Sequence, residues 1–81
     1  MTIRVKLFAI LRDRAGASDF ALELPDGATI GEASRAIAVR YPAIAGFLGR
    51  VAFAVNQSYV DRSTVLHESD ELAIIPPVSG G

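Results

Sequence analysis

Apolar residues recur at every second position near the start of the chain, where Ile3, Val5 and Leu7 alternate with Arg4, Lys6 and Phe8. A period of two sends successive side chains to opposite faces of an extended strand, so one face is expected to be buried. Phe20, Leu22 and Leu24 repeat the alternation around Ala21 and Glu23, which predicts a second strand antiparallel to the first. Between them, Leu11 to Gly16 reads as a short helical turn closed by glycine. Pro25-Asp26-Gly27 has turn chemistry and ends the second strand. In Thr29-Ile30-Gly31-Glu32 the threonine is placed to satisfy an early helix N–H while the glutamate reaches back, a capping box. Ile30, Ala33, Ile37 and Tyr41 follow at helical spacing and form one apolar stripe. Pro42 ends that helix, because the residue before a proline avoids helical geometry.

The second half repeats these signals in shorter pieces. Ala43 to Gly49 is expected to form another short helix with Ile44, Phe47 and Leu48 inward, and Val51, Phe53 and Val55 form a third alternating strand. Asn56-Gln57-Ser58 is a turn, Tyr59-Val60 a very short strand, and Glu68-Ser69-Asp70 a turn leading into Leu72-Ala73-Ile74-Ile75. That last run is apolar on both faces, as a central strand would be. Strand, strand, helix, strand, short strand, strand is the α+β plan of a mixed sheet packed on one long helix with short extra helices, the ubiquitin-like β-grasp. A ferredoxin-like split βαβ needs a second full helix before its last strand, and Tyr59 to Asp70 offers none. The expected division is a β-grasp domain over residues 1–75 and an extended C-terminal tail over 76–81.

Composition narrows the function. Eighty-one residues, 51% of them hydrophobic, suit one folded domain. The chain has no cysteine, so it can form no disulfide, thiolate metal site or thiol nucleophile. Eight basic and nine acidic residues are spread along it, which leaves no electrostatic footprint for nucleic acid. Its apolar runs fall far short of the roughly 18–20 residues a membrane span requires, and no signal peptide is evident, so a soluble cytoplasmic protein is expected.

Catalytic signals are missing too. His67 is the only histidine and adjoins a polar turn, with no partners placed for a metal site or a Ser/His dyad. Gly27 and Gly31 compose no phosphate loop. Asp70 and Glu71 are adjacent, so on a strand they point to opposite faces. Arg12, Asp13 and Arg14 read as a solvated face. The expectation is a chain that is no enzyme on its own and binds no metal or cofactor.

The end of the chain is different. The apolar strand runs into Pro76 and Pro77, then Val78, Ser79, Gly80 and Gly81. Such a tail is either a frayed terminus or a functional one. A terminal glycine pair arises by chance in roughly one chain in 200 at the usual glycine frequency of about 7%. Six extended residues reach about 20 Å beyond the domain. Paired prolines stiffen the root and lower the entropy lost on insertion into a partner, while glycines without Cβ fit a channel too narrow for side chains. The tail is built to carry its terminal carboxylate into another protein's active site.

With these segments the chain resembles the small, sulfur-carrying subunit of molybdopterin synthase, a relative of the thiamine sulfur carrier and of ubiquitin. The resemblance spans the whole chain. It is strongest at Val5-Lys6-Leu7-Phe8-Ala9, Ala54-Val55-Asn56-Gln57 and Asp70-Glu71-Leu72-Ala73-Ile74-Ile75-Pro76-Pro77-Val78-Ser79-Gly80-Gly81. The double proline just before the terminal Gly-Gly is closer to the molybdopterin branch than to the thiamine one. The resemblance implies that a ubiquitin-type adenylating enzyme uses ATP to activate the Gly81 carboxylate, and that a sulfur donor displaces AMP to leave a thiocarboxylate. It implies that the carrier then docks on the large catalytic subunit, in a heterotetramer of two carriers per catalytic dimer, and gives its sulfur to a precursor pterin. Gly81 would be the reacting residue and Gly80 the one that gives it access.

Docking also needs a surface. If Ile3, Val5 and Leu7 face the helix, Phe8 lies on the opposite side, and if Leu72 and Ile74 face inward, Ile75 points outward. The first and last strands are neighbours in a β-grasp sheet, so Phe8 and Ile75, with Pro76, Pro77, Val78 and Ser79 of the tail, are the candidate partner-binding residues. The competing reading tucks Phe8 under the Leu11 to Gly16 turn as core. Two other functions remain open: a sulfur carrier for another pathway such as thiamine, and a ubiquitin-like modifier or interaction module. Lys6 is the only lysine, which disfavours a modifier that builds chains of itself.

Overall fold

A computed structural model of the chain describes residues 1–77. Strand β1 (Thr2–Leu7) leads into helix α1 (Ala9–Ala15), strand β2 (Asp19–Glu23) and helix α2 (Ile30–Arg40). A 3₁₀ helix (Pro42–Phe47) follows, then β3 (Ala52–Val55), β4 (Ser58–Val60) and β5 (Glu71–Ile75). The strands form one five-stranded sheet in the order β2-β1-β5-β3-β4. β1 and β5 pair in parallel and every other neighbour is antiparallel. This is the mixed β-grasp sheet that the alternation predicts, with β1 and β5 as inner neighbours.

One face of the sheet carries the core. Ile3, Val5 and Leu7 of β1, Phe20 and Leu22 of β2, Phe53 of β3, and Leu72 and Ile74 of β5 are all buried. They pack against Leu11 of α1, Ile30, Ala33 and Ile37 of α2, and Ile44 of the 3₁₀ helix. Thr29 and Glu32 close the capping box: Thr29 Oγ1 accepts from the Glu32 N–H at 3.3 Å, and Glu32 Oε1 accepts from the Thr29 N–H at 3.1 Å.

Local departures from expectation have local causes. Helix α1 begins two residues before the predicted turn and ends, as predicted, at Gly16, whose φ of 74° places it in the left-handed region. The helix expected over 43–49 is a 3₁₀ helix over Pro42–Phe47, with Pro42 at its first position, where the missing N–H costs nothing. Phe47 is only half-buried there, with the Arg14 guanidinium 5.9 Å above its ring. Edge strand β2 is guarded by Arg40, which donates to the Ala21 carbonyl at 2.8 Å and stacks 4.8 Å from the Phe20 ring.

Truncating the α2 stripe with Ile37→Ala is expected to lower the unfolding free energy by about 2–5 kcal/mol. Thr29→Ala, which removes only the cap, is expected to lower it by about 1 kcal/mol. Urea denaturation followed by circular dichroism measures both.

Candidate functional site

The second face of the sheet is not covered by a helix. Register fixes what lies there. Lys6 of β1 pairs with Ala73 of β5, Ala73 with Ala54 of β3, and Ala54 with Tyr59 of β4, so these four form one row across the sheet. Ala54 is buried yet takes no part in the hydrophobic core, because its methyl faces this opposite side. Small residues at the centre with larger ones around them make a concavity. A groove of about 900 Å³ results, walled by Phe8, Ile10, Tyr59, Ile75, Pro76 and Pro77 and edged by Lys6, Gln57 and Glu71.

Phe8 is 43% exposed and lies on this groove, outside the core cluster. Its position makes that exposure informative. Phe8 is the N-cap of α1 and forms no side-chain cap hydrogen bond, in a place where Ser, Thr, Asp or Asn would satisfy a free helix N–H. The next residue, Ala9, has a φ of 51°, a left-handed conformation that disfavours residues with a Cβ. This sharp turn lets Leu7 and Leu11 both reach the core while Phe8 stays on the groove side. Phe8 and Ile75 are thus brought to one surface, and Pro76 and Pro77 continue from β5 along its rim. Val78, Ser79, Gly80 and Gly81 lie outside the described residues.

Tyr59, Ile10, Ala54 and Ala73 complete the groove and were not singled out in the sequence. Alternation assigns a residue to a face, but only the strand order places Tyr59 of the β4 edge beside Ala54. Exposed Tyr59, 73% accessible, is the signal that the β4 pattern carried.

Charge at the groove is confined to its edge. Lys6 Nζ lies 3.5 Å from Glu71 Oε2, and Arg4 lies 3.4 Å from Asp19 on the same face. Both pairs are well exposed, so they contribute little to stability, and of their four residues Lys6 and Glu71 border the groove. At the far end of β5, Asp70 accepts from the Asn56 side chain at 2.9 Å and from the His67 backbone N–H at 2.8 Å. Asn56 in turn accepts from the Glu71 N–H at 3.0 Å and donates its own N–H to the Glu71 carbonyl at 2.9 Å. These bonds lock the β3–β4 turn to the start of β5. His67 is exposed and stands 3.8 Å from Asp70, and among the described residues no group of three His, Cys, Asp or Glu could hold a metal ion. What the surface offers is recognition of an apolar partner beside the root of the tail.

Comparison with known proteins gives this surface a context. The ThiS family matches the chain over residues 5–81. The chain is 40% identical over 83 residues to the molybdopterin synthase sulfur carrier subunit of Chlamydomonas reinhardtii, with 100% of each chain covered. Its fold matches that of SAMP1 from Haloferax volcanii at a TM-score of 0.90 and 28% identity, with 100% of each chain covered. It is also similar, at a TM-score of 0.72, 27% identity and 100% coverage of each chain, to a chain from the protein–protein complex of subunits 1 and 2 of the molybdopterin-converting factor of Helicobacter pylori 26695.

Because Phe8 occupies a capping position, Phe8→Asp exchanges partly exposed apolar area for a side chain that can cap α1. The unfolding free energy is expected to stay within about 1 kcal/mol of the unsubstituted protein, as read from urea denaturation. A loss on the scale of a core truncation would place Phe8 in the core instead.

Proposed function

The chain belongs to the ThiS family, and on that footing we propose that it is the sulfur carrier subunit of a molybdopterin synthase. The observation that carries this reading is the exit of the chain. β5 is held between β1 and β3 in the middle of the sheet, and its last residue, Ile75, passes into Pro76 and Pro77 on the rim of the apolar groove. A protein that covers the groove therefore meets the tail at its root.

In this cycle a ubiquitin-type adenylating enzyme first binds the carrier and joins the Gly81 carboxylate to AMP at the expense of ATP. Activation is required because a carboxylate is a poor electrophile, whereas AMP is a good leaving group. A sulfur donor displaces AMP and leaves a terminal thiocarboxylate, a soft nucleophile at neutral pH. The groove, through Phe8 and Ile75, then docks on the large subunit, and the tail carries the sulfur into that subunit's active site, where it passes to the precursor pterin. Two carriers serve one catalytic dimer. Catalysis rests with the partners: the carrier itself holds neither ATP nor another cofactor, and with no cysteine in the chain the covalent sulfur resides at Gly81. Gly80, without a side chain, admits the terminus to a narrow channel, while Pro76, Pro77, Val78 and Ser79 span the approach. The cycle runs in the cytoplasm.

The likeness to SAMP1, small archaeal modifier protein 1, favours one second reading, a ubiquitin-like modifier whose Gly81 forms an isopeptide. Intact mass separates the two. When the chain is produced with its adenylating enzyme and a sulfur donor, an increase of about 16 Da confined to the C-terminal peptide is expected as oxygen gives way to sulfur. Deleting Gly81 is expected to abolish that increase and all sulfur transfer with no change in melting temperature. Gly81 joined to lysines of other proteins, with no thiocarboxylate, would establish the modifier instead.

A further inference from the structure

The turn between β3 and β4 contains a residue that its backbone does not favour. Asn56 and Gln57 alone join Val55 to Ser58, which pair across the hairpin, and both turn residues have positive φ, 49° and 72°. Two-residue hairpin turns of this kind strongly favour glycine at the second position, because a Cβ there is strained. Asparagine tolerates the left-handed region, and the Asn56 carboxamide is engaged at both ends, with Nδ2 donating to Asp70 and Oδ1 accepting from the Glu71 N–H. Gln57 has neither excuse. It is exposed, and its carboxamide is in no hydrogen bond with the described residues. Its side chain instead lies on the edge of the apolar groove, beside Tyr59.

We infer that Gln57 is a recognition residue of the groove, whose carboxamide exchanges hydrogen bonds with backbone amide groups at the border of the protein that covers the apolar floor. An apolar floor gives adhesion without direction, and a donor–acceptor pair at its edge sets the orientation of the covering protein. This rests on the reading of the groove as the docking face for the large subunit. A glycine would make the better turn, so what the glutamine adds is its side chain.

The test is titration of the large subunit by calorimetry against the full-length carrier and three variants, with a melting curve for each. Gln57→Gly is expected to melt at the same or a higher temperature, yet to bind about three- to tenfold more weakly, the size of one or two hydrogen bonds. Gln57→Ala is expected to lose the same affinity without the gain in melting temperature. A turn residue with a purely structural role would move affinity and stability together. Unchanged affinity in both Gln57 variants, with binding abolished by Phe8→Asp, would overturn the inference and leave the groove as the docking face. Unchanged affinity in Phe8→Asp as well would remove the docking face itself, and this inference with it.

Discussion

The parallel pairing of β1 with β5 is the contact on which the rest of this structure depends. It joins the two ends of the described chain, bringing Val5 beside Leu72 and Leu7 beside Ile74. Each of these four side chains is buried. The pairing places β5 between two neighbours, where both of its edges are hydrogen-bonded. A tail rooted in an edge strand would begin from a segment that frays at little cost. One rooted in the central strand begins from a fixed point. Asn56 and Asp70 reinforce that point from the opposite end of β5, so the strand cannot slide in register, and a one-residue slip would exchange Leu72 and Ile74 for Ala73 and Ile75 on the core side.

The same pairing explains why one face can be given over to recognition. An 81-residue chain has a small core, and here α2, α1 and the 3₁₀ helix all pack on a single face of the sheet. The opposite face carries the exposed pairs Lys6–Glu71 and Arg4–Asp19, the first of them at the edge of the apolar groove. At the rim, local preference is set aside repeatedly. Phe8 stands where a capping residue would serve the helix, Ala9 and Gln57 adopt left-handed backbone with a Cβ, and Tyr59 is left exposed on an edge strand. Natural sequences are locally consistent with their folds except where function intervenes; these four exceptions border one groove, whereas Ser69, left-handed at a φ of 68°, lies in the turn before β5.

Much of this was legible in the sequence, and the boundary of legibility is physical. Ile3, Val5 and Leu7, the Thr29–Glu32 cap and the Ile30, Ala33, Ile37 part of the α2 stripe are set by periodicity and local hydrogen bonding, and the structure reproduces them, whereas Tyr41, the last residue of the expected stripe, caps α2 and is only partly buried. The start of α1 was misplaced by two residues because a left-handed alanine is not a pattern that alternation reveals. Phe8 and Ile75 could be placed outward from their neighbours alone. Tyr59, Ala54 and Ala73 could not be joined to them, since their adjacency comes from strand order and register, which are tertiary facts. Gln57 was visible as a turn residue and as part of a segment that carries the resemblance, but the φ that makes it exceptional is a property of the closed hairpin.

A groove beside the last residues of the chain would divide one task between two kinds of surface. Adhesion requires area and shape, and these are supplied by a sheet face that needs no rearrangement to bind. Delivery of a terminal group requires reach and a narrow profile, which a rigid domain lacks and a proline-rooted, glycine-ended segment has. In the proposed cycle, covering the groove would make the tail's encounter with the partner intramolecular and raise its effective concentration far above that of the free carrier. The groove therefore need not bind tightly for delivery to be efficient. Modest affinity is also what the proposed cycle requires, since a carrier charged by one protein and discharged by another must leave each of them. An apolar floor with one or two directional polar contacts at its edge suits that requirement better than a dense network of buried ion pairs, which would be slow to release.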